Sequence, residues 1–84
     1  MKSDDFEWDD HKANINLRKH GVSFQEALTV LDDPGVYTSE DFRSEQESRY
    51  VSIGYSLQYR KLCVIWVIRE GRARIISAWR VKHE

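Results

Sequence analysis

Hydrophobic and polar positions alternate differently in the two halves of the chain. Phe6-Glu7-Trp8 is a short apolar–polar–apolar run, a small strand or an extended arm. Asp9 then suits a helix N-cap, and Asp10 favours the positive end of the helix dipole. From there the pattern is helical through His20. Ala13 and Leu17 lie four apart, and His20 follows on the same face. Gly21 is the expected stop. A second helix begins at Ser23-Phe24-Gln25-Glu26, a capping box in which the serine accepts from the Glu26 backbone and Glu26 reaches back, with Val22 at the staple position. Phe24, Ala27, Leu28 and Leu31 form its core stripe. Asp32-Asp33-Pro34-Gly35 ends it, because proline cannot continue the hydrogen-bond ladder.

Beyond Pro34 the period changes to two. Val36-Tyr37-Thr38 is a short β-prone edge piece, and Ser39 to Ser48 is polar enough to be a loop. Arg49 to Tyr55 alternates, with Val51, Ile53 and Tyr55 on one side and Tyr50 and Ser52 on the other. Leu57 to Arg60 connects a hairpin. Leu62 to Ile68 is apolar on both faces, as a central strand requires. Glu70-Gly71 is a turn, and Arg72 to Trp79 is the next strand. The expected architecture is a single α+β domain over residues 1–84. Two N-terminal helices cover one face of a small antiparallel sheet.

Composition narrows the setting. The chain has 84 residues, and a domain of that size buries only about 60% of the surface its unfolded chain exposes. The longest apolar run, Leu62 to Ile68, falls well short of the roughly 20 residues of a membrane span. The acidic start Met1-Lys2-Ser3-Asp4-Asp5 is unlike a signal peptide. Cys63, the single cysteine, sits inside the apolar run and cannot form an internal disulfide, so a reducing, cytoplasmic setting is expected. A net charge of −1 hides a segregation. Residues 1–10 carry one lysine against five acids, and residues 69–84 carry four arginines and a lysine against two glutamates. The basic end suits a phosphate-bearing partner.

The last strand carries the candidate chemistry. An unbroken period of two puts Arg72, Arg74 and Arg80 on one face at about 3.3 Å per residue. Arginine forks bind phosphate bidentately and stabilise a phosphorane. The competing reading is a solvated face with ion pairs to Glu45 or Glu47. Arg49 either joins the same patch or makes a surface Glu–Arg pair of little energetic weight. Lys61 opens the central strand as a phosphate contact or as an ordinary edge lysine. His20 is a proton-transfer candidate near neutral pH, or a helix-end cation favoured by the dipole. Trp8, Trp66 and Trp79 are either base-stacking or packing residues. The three histidines lack metal-ligand spacing, and there is no Walker loop, GxGxxG or serine elbow.

The stretch "FEWDDHKANINLRKHGVSFQEALTVLDDP" resembles the opening of BrnT-type toxins of bacterial type II toxin–antitoxin systems, with their F-E-W-D start, N-x-x-K-H-G-V-S-F-x-E-A block and D-P. "ESRYVSIG" and "RIISAWR" resemble later family pieces, so the resemblance runs from Phe6 to about Arg80. It implies a RelE-like fold and a metal-independent ribonuclease without cofactors, in which the ribose 2′-OH attacks the adjacent phosphate. It implies a BrnA-like ribbon-helix-helix antitoxin as partner, RNA as substrate, operator DNA met only through the antitoxin, and no membrane. The matching positions are Lys19, His20, Arg49, Arg74 and Arg80 for catalysis, with Lys61 and Arg72 as further RNA contacts. Two departures stand out. Trp79 occupies a position where the family commonly has arginine, and the family's C-terminal helix is expected to be short or absent here. An antitoxin-binding co-repressor with weak catalysis is the alternative.

Overall fold

The computed structural model describes residues 1–41 and 48–82. Among these residues seven elements follow in order: β1 Phe6–Glu7, α1 Asp10–His20, α2 Phe24–Val30, β2 Tyr37–Asp41, β3 Arg49–Tyr55, β4 Lys61–Arg69 and β5 Arg72–Arg80. Helix α1 starts where its cap predicts, with the Asp9 carboxylate accepting from the Lys12 N–H at 2.9 Å. It stops at Gly21, whose φ of 69° lies in the left-handed region open to glycine and whose N–H returns to the Leu17 carbonyl. Helix α2 is capped by Ser23, which accepts from the Glu26 N–H at 3.0 Å. The other half of the capping box does not form. The Glu26 carboxylate turns instead to Ser56 and Arg60, because a guanidinium is a stronger partner than a backbone N–H.

The sheet has the order β1-β5-β4-β3-β2, with β4 at its centre. It is mixed rather than purely antiparallel. Phe6–Glu7 is a strand and pairs parallel with β5, Phe6 opposite Ala73 and Glu7 opposite Arg74. The edge strand β2 is longer than the sequence suggested: Ser39, Glu40 and Asp41 pair with Val51, Tyr50 and Arg49. Polar residues suit an edge strand, so composition alone reads them as loop. Residues 42–47 of the expected loop lie outside the described residues. Val81 and Lys82 follow β5 without a helix, and 83–84 are likewise outside. The β4–β5 turn places Glu70 at φ 53° and Gly71 at φ 77°, the two-residue geometry that matches strand twist.

The core gathers Trp8, Val22, Phe24, Ala27 and Val30 against Leu62, Val64, Ile75 and Ala78. Phe24 is fully buried and is worth roughly 2–3 kcal/mol. Leu28 and Leu31 sit at the margin of this cluster and Val30 at its centre, so the buried stripe of α2 is turned slightly from the predicted one. Gly54 marks the closest approach of the sheet to the end of α2. A Cβ there would lie 2.8 Å from an Asp33 carboxylate oxygen and 3.3 Å from Val30. Helix α1 contributes little apolar burial. Leu17 is 48% exposed and Ile15 42%, and the buried residue of this helix is Asn16. The predicted Leu17 face is therefore corrected to one centred on Asn16.

Candidate nucleic-acid interface

Asn16 explains how α1 holds the sheet. Its side-chain amide donates to the Ala78 carbonyl at 2.8 Å and to the Val22 carbonyl at 2.9 Å, and its oxygen accepts from the Ala78 N–H at 3.2 Å. One side chain thus substitutes for a neighbouring strand along β5 beyond the point where β1 ends. A second tie comes from Arg60, which donates to the Gly21 carbonyl at 3.0 Å while bonding the Glu26 carboxylate through both Nε and Nη2. Ser56 donates to the same carboxylate at 2.7 Å. The Arg60 and Ser56 hydrogen bonds hold the Glu26 carboxyl below the usual carboxylate range despite its burial. Together these bonds fix the C-terminal end of α1, where Lys19 and His20 project.

Paired residues on neighbouring strands point to the same face of a sheet. Leu62, Val64 and Trp66 of β4 face the helices, so Lys61, Cys63, Ile65 and Val67 face the other way. One row across this second face reads Glu7, Arg74, Val67, Arg49, Asp41. A row nearer the opposite end reads Trp79, Cys63, Ile53, Tyr37. Lys61 and Tyr55 lie just beyond it.

Arg72, Arg74 and Arg80 do not share a face. Ile65 pairs with Ser77 and Trp66 with Ile75, so Ile76 is an extra residue in β5. A bulge of this kind shifts the alternation by one. Arg72 and Arg74 stay on the second face, whereas Arg80 pairs with Leu62 and lies on the helix side. A bulge leaves no mark in a period-two pattern, which is why the sequence reading runs the stripe through.

The candidate residues therefore fall into two groups, Trp79 and Arg74 being five residues apart or about 16 Å along an extended strand. At the start of β5, Arg74 donates to Glu7 at 2.7 Å, and Arg72 donates to the Ser3 carbonyl at 2.7 Å with Glu70 3.7 Å away. Arg49 lies two strands from Arg74, across Val67, and has no ion pair among the described residues. Glu45 and Glu47, the alternative partners expected from sequence, lie outside those residues. At the end of β5, His20 packs its ring against Trp79 with centroids 6.2 Å apart, tilted at 45°. Lys19 and His20 also line a groove of about 180 Å³ with Lys12, Ile15, Asn16, Ile76 and Ser77. Lys12, Lys19, Lys61 and Arg80 have no ion pair among the described residues.

Sequence reasoning missed Lys12 and Asn16. The signal was present: residues 12, 15, 16 and 19 repeat at helical spacing, and a polar residue on that stripe marks a hydrogen-bonding rather than an apolar contact. Among the described residues no three His, Cys, Asp or Glu side chains come together as a metal site, and no helix is long and apolar enough to cross a membrane.

A mixed five-stranded sheet clasped by two helices, with cations at both ends of its second face, belongs to a recognisable class: residues 8–84 match the family model described as the ribonuclease toxin, BrnT, of type II toxin–antitoxin systems. The chain belongs to the BrnT family. Its fold is similar to that of the Brucella abortus ribonuclease toxin BrnT, with a TM-score of 0.68 at 21% identity over 94% of this chain and 97% of that one. At that identity the likeness speaks for the fold alone. A search of curated proteins gives no match.

Proposed function

We propose that this chain is a RelE-like endoribonuclease toxin that cleaves RNA in the cytoplasm without a metal ion. A BrnA-like ribbon-helix-helix antitoxin neutralises it and carries it to operator DNA. The observation that carries the reading is the end of α1. Two bonded supports, Asn16 and Arg60, hold Lys19 and His20 beside the end of β5, where cations without ion pairs among the described residues cluster. Family membership supplies the reaction class.

The chemistry these groups suit is transesterification. The ribose 2′-oxygen loses its proton to a base and attacks phosphorus, and the bond to the 5′-oxygen breaks as that oxygen gains a proton. The products are a 2′,3′-cyclic phosphate and a free 5′-hydroxyl. His20 or Lys19 serves proton transfer. Arg49, Arg74 and Arg80 neutralise phosphate charge, with Lys61 and Arg72 as outer contacts. Arg49, Lys61, Arg72 and Arg74 share the second face on β3, β4 and β5, so an RNA strand lying across it meets both groups, while Arg80 reaches phosphate from the helix side of the end of β5. Glu7 holds one nitrogen of Arg74 and leaves its other N–H groups for phosphate.

Purified chain, freed of any partner and kept in EDTA, is expected to cut RNA to cyclic-phosphate ends. Arg74→Ala combined with Arg80→Ala should lower the rate by about a hundredfold or more. RNA that stays intact through prolonged incubation sinks the enzyme reading. A second reading, an antitoxin-holding co-repressor with weak catalysis, has one observation in its favour: Arg72 and Arg74 are already partnered by Glu70 and Glu7. Expression of the chain alone separates the two. Growth arrest relieved by the antitoxin fits the toxin, and unimpaired growth with soluble protein fits the co-repressor.

A further inference from the structure

Three tryptophans occur in the chain, and two are consumed by packing. Trp8 is 4% exposed and sits edge-on to Phe24. Trp66 stacks on Tyr50 and donates its indole N–H to Ser52. Trp79 is different. It is 37% exposed, lies on the face of the sheet away from the helices, and touches the ring of His20. Lys61 is one diagonal step away on the same face, since Cys63 pairs with Trp79 and the Lys61 carbonyl accepts from the Val81 N–H. Lys19 precedes His20 in the chain, and neither lysine has an ion pair among the described residues.

We propose that Trp79 is a stacking platform for a nucleobase of single-stranded RNA, bracketed by Lys61 and the Lys19–His20 end of α1. The inference rests on the ribonuclease reading and specifies its substrate as an unpaired strand. An indole offers a π-face to any base, and flanking lysines hold the phosphates on either side without reading sequence. Bases inside an A-form duplex are already stacked and present no free face, so the arrangement selects against paired RNA. Arginine at the same position supplies charge and guanidinium stacking. Tryptophan gives up the charge for the larger aromatic surface, while Lys61 and Lys19 remain to meet the backbone. The surrounding cations favour a polyanion over an apolar protein surface as the occupant.

The test uses a fluorescein-labelled, 2′-O-methylated single-stranded octamer, which binds without being cut, and reads anisotropy. Trp79→Ala is expected to weaken binding about tenfold. Trp79→Phe keeps a π-face and should stay within about threefold of the wild type. Wild-type protein should bind the matching duplex about tenfold more weakly than the single strand, and the single strand should quench tryptophan emission in the wild type but not in Trp79→Phe. Equal affinity for paired and single-stranded probes, equal losses in the two variants, or unchanged binding in Trp79→Ala overturns the platform while leaving ribonuclease activity in place. Wild-type protein that binds no RNA overturns both. If Trp79→Ala does not fold, the duplex comparison and the quenching in wild type and Trp79→Phe decide.

Discussion

The two ends of β5 hold charge in opposite ways. At its start, β1 lies alongside in parallel, and the arginines there are engaged: Arg74 with Glu7, Arg72 with Ser3 and Glu70. At its end there is no β1 to pair with, and a single asparagine from α1 takes the place of a strand. The cations around that end, Lys12, Lys19, Lys61 and Arg80, have no ion pair among the described residues. Charge at the start of the strand is spent on holding the N-terminal segment. At the end the strand itself is held by the neutral Asn16 bonds, and the one ion pair nearby among the described residues, Arg60 with Glu26, is closed on itself, which leaves the positive charge of the four cations available to a polyanion.

The largest expected effect follows from breaking the neutral clasp. Asn16→Ala removes three buried bonds and leaves the Ala78 N–H and the Ala78 and Val22 carbonyls without partners. Each orphaned group costs about 1–3 kcal/mol, some of it recovered by water at the sheet edge, so a loss of roughly 3 kcal/mol is expected in urea unfolding. For a domain of this size that is a large share of its stability. A loss below about 1 kcal/mol means that α1 is held by something other than Asn16.

Asn16 also marks the limit of what could be read from the sequence. The helix, its Asp9 cap, its Gly21 stop and the strand from Arg49 to Tyr55 were legible, because capping and period depend on neighbours a few residues apart. The Asn16–Ala78 contact spans 62 residues and the Glu26–Arg60 contact 34, and nothing local announces either one. The local reading of Glu26 as half of a capping box was even misleading. The seven candidates could be named from the sequence only as residue types, and their placement on the sheet could not. One extra residue at Ile76 rotates Arg80 off the arginine face, and that shift exists only in the pairing with β4.

A smaller effect tests the second support of the same end. Glu26 is held below the ordinary carboxylate value, chiefly through its hydrogen bond with Arg60. Its folded pKa is thus lower than its unfolded one, near 4.3. The stability it contributes is complete above that unfolded value and is lost as pH falls through the folded one. Unfolding free energy should therefore drop in acid below about pH 4.3. Glu26→Gln should lower stability by about 2 kcal/mol at pH 7 and flatten the acid slope. An unchanged slope in the variant assigns the acid loss to other carboxylates. Because Arg60 also holds the Gly21 carbonyl, any loss of RNA cleavage in Glu26→Gln should exceed what the unfolded fraction accounts for.

The smallest effect belongs to the charged end. Glu7→Ala breaks a pair whose members are both largely buried but not fully enclosed, with side chains 12% and 20% exposed for Glu7 and Arg74. Solvent reaches the guanidinium, so the released charge is partly hydrated and the expected cost is about 1 kcal/mol. The functional consequence has the opposite sign. Arg74 freed from Glu7 can give all its donors to phosphate, so binding to a single-stranded probe should tighten modestly, by about twofold to fivefold at low salt, even as the protein loses stability. Tighter binding with lower stability sustains the contrast between an engaged and an available end. Weaker binding means instead that Glu7 aims Arg74 at the phosphate, and that the start of β5 is as much a part of the RNA site as its end.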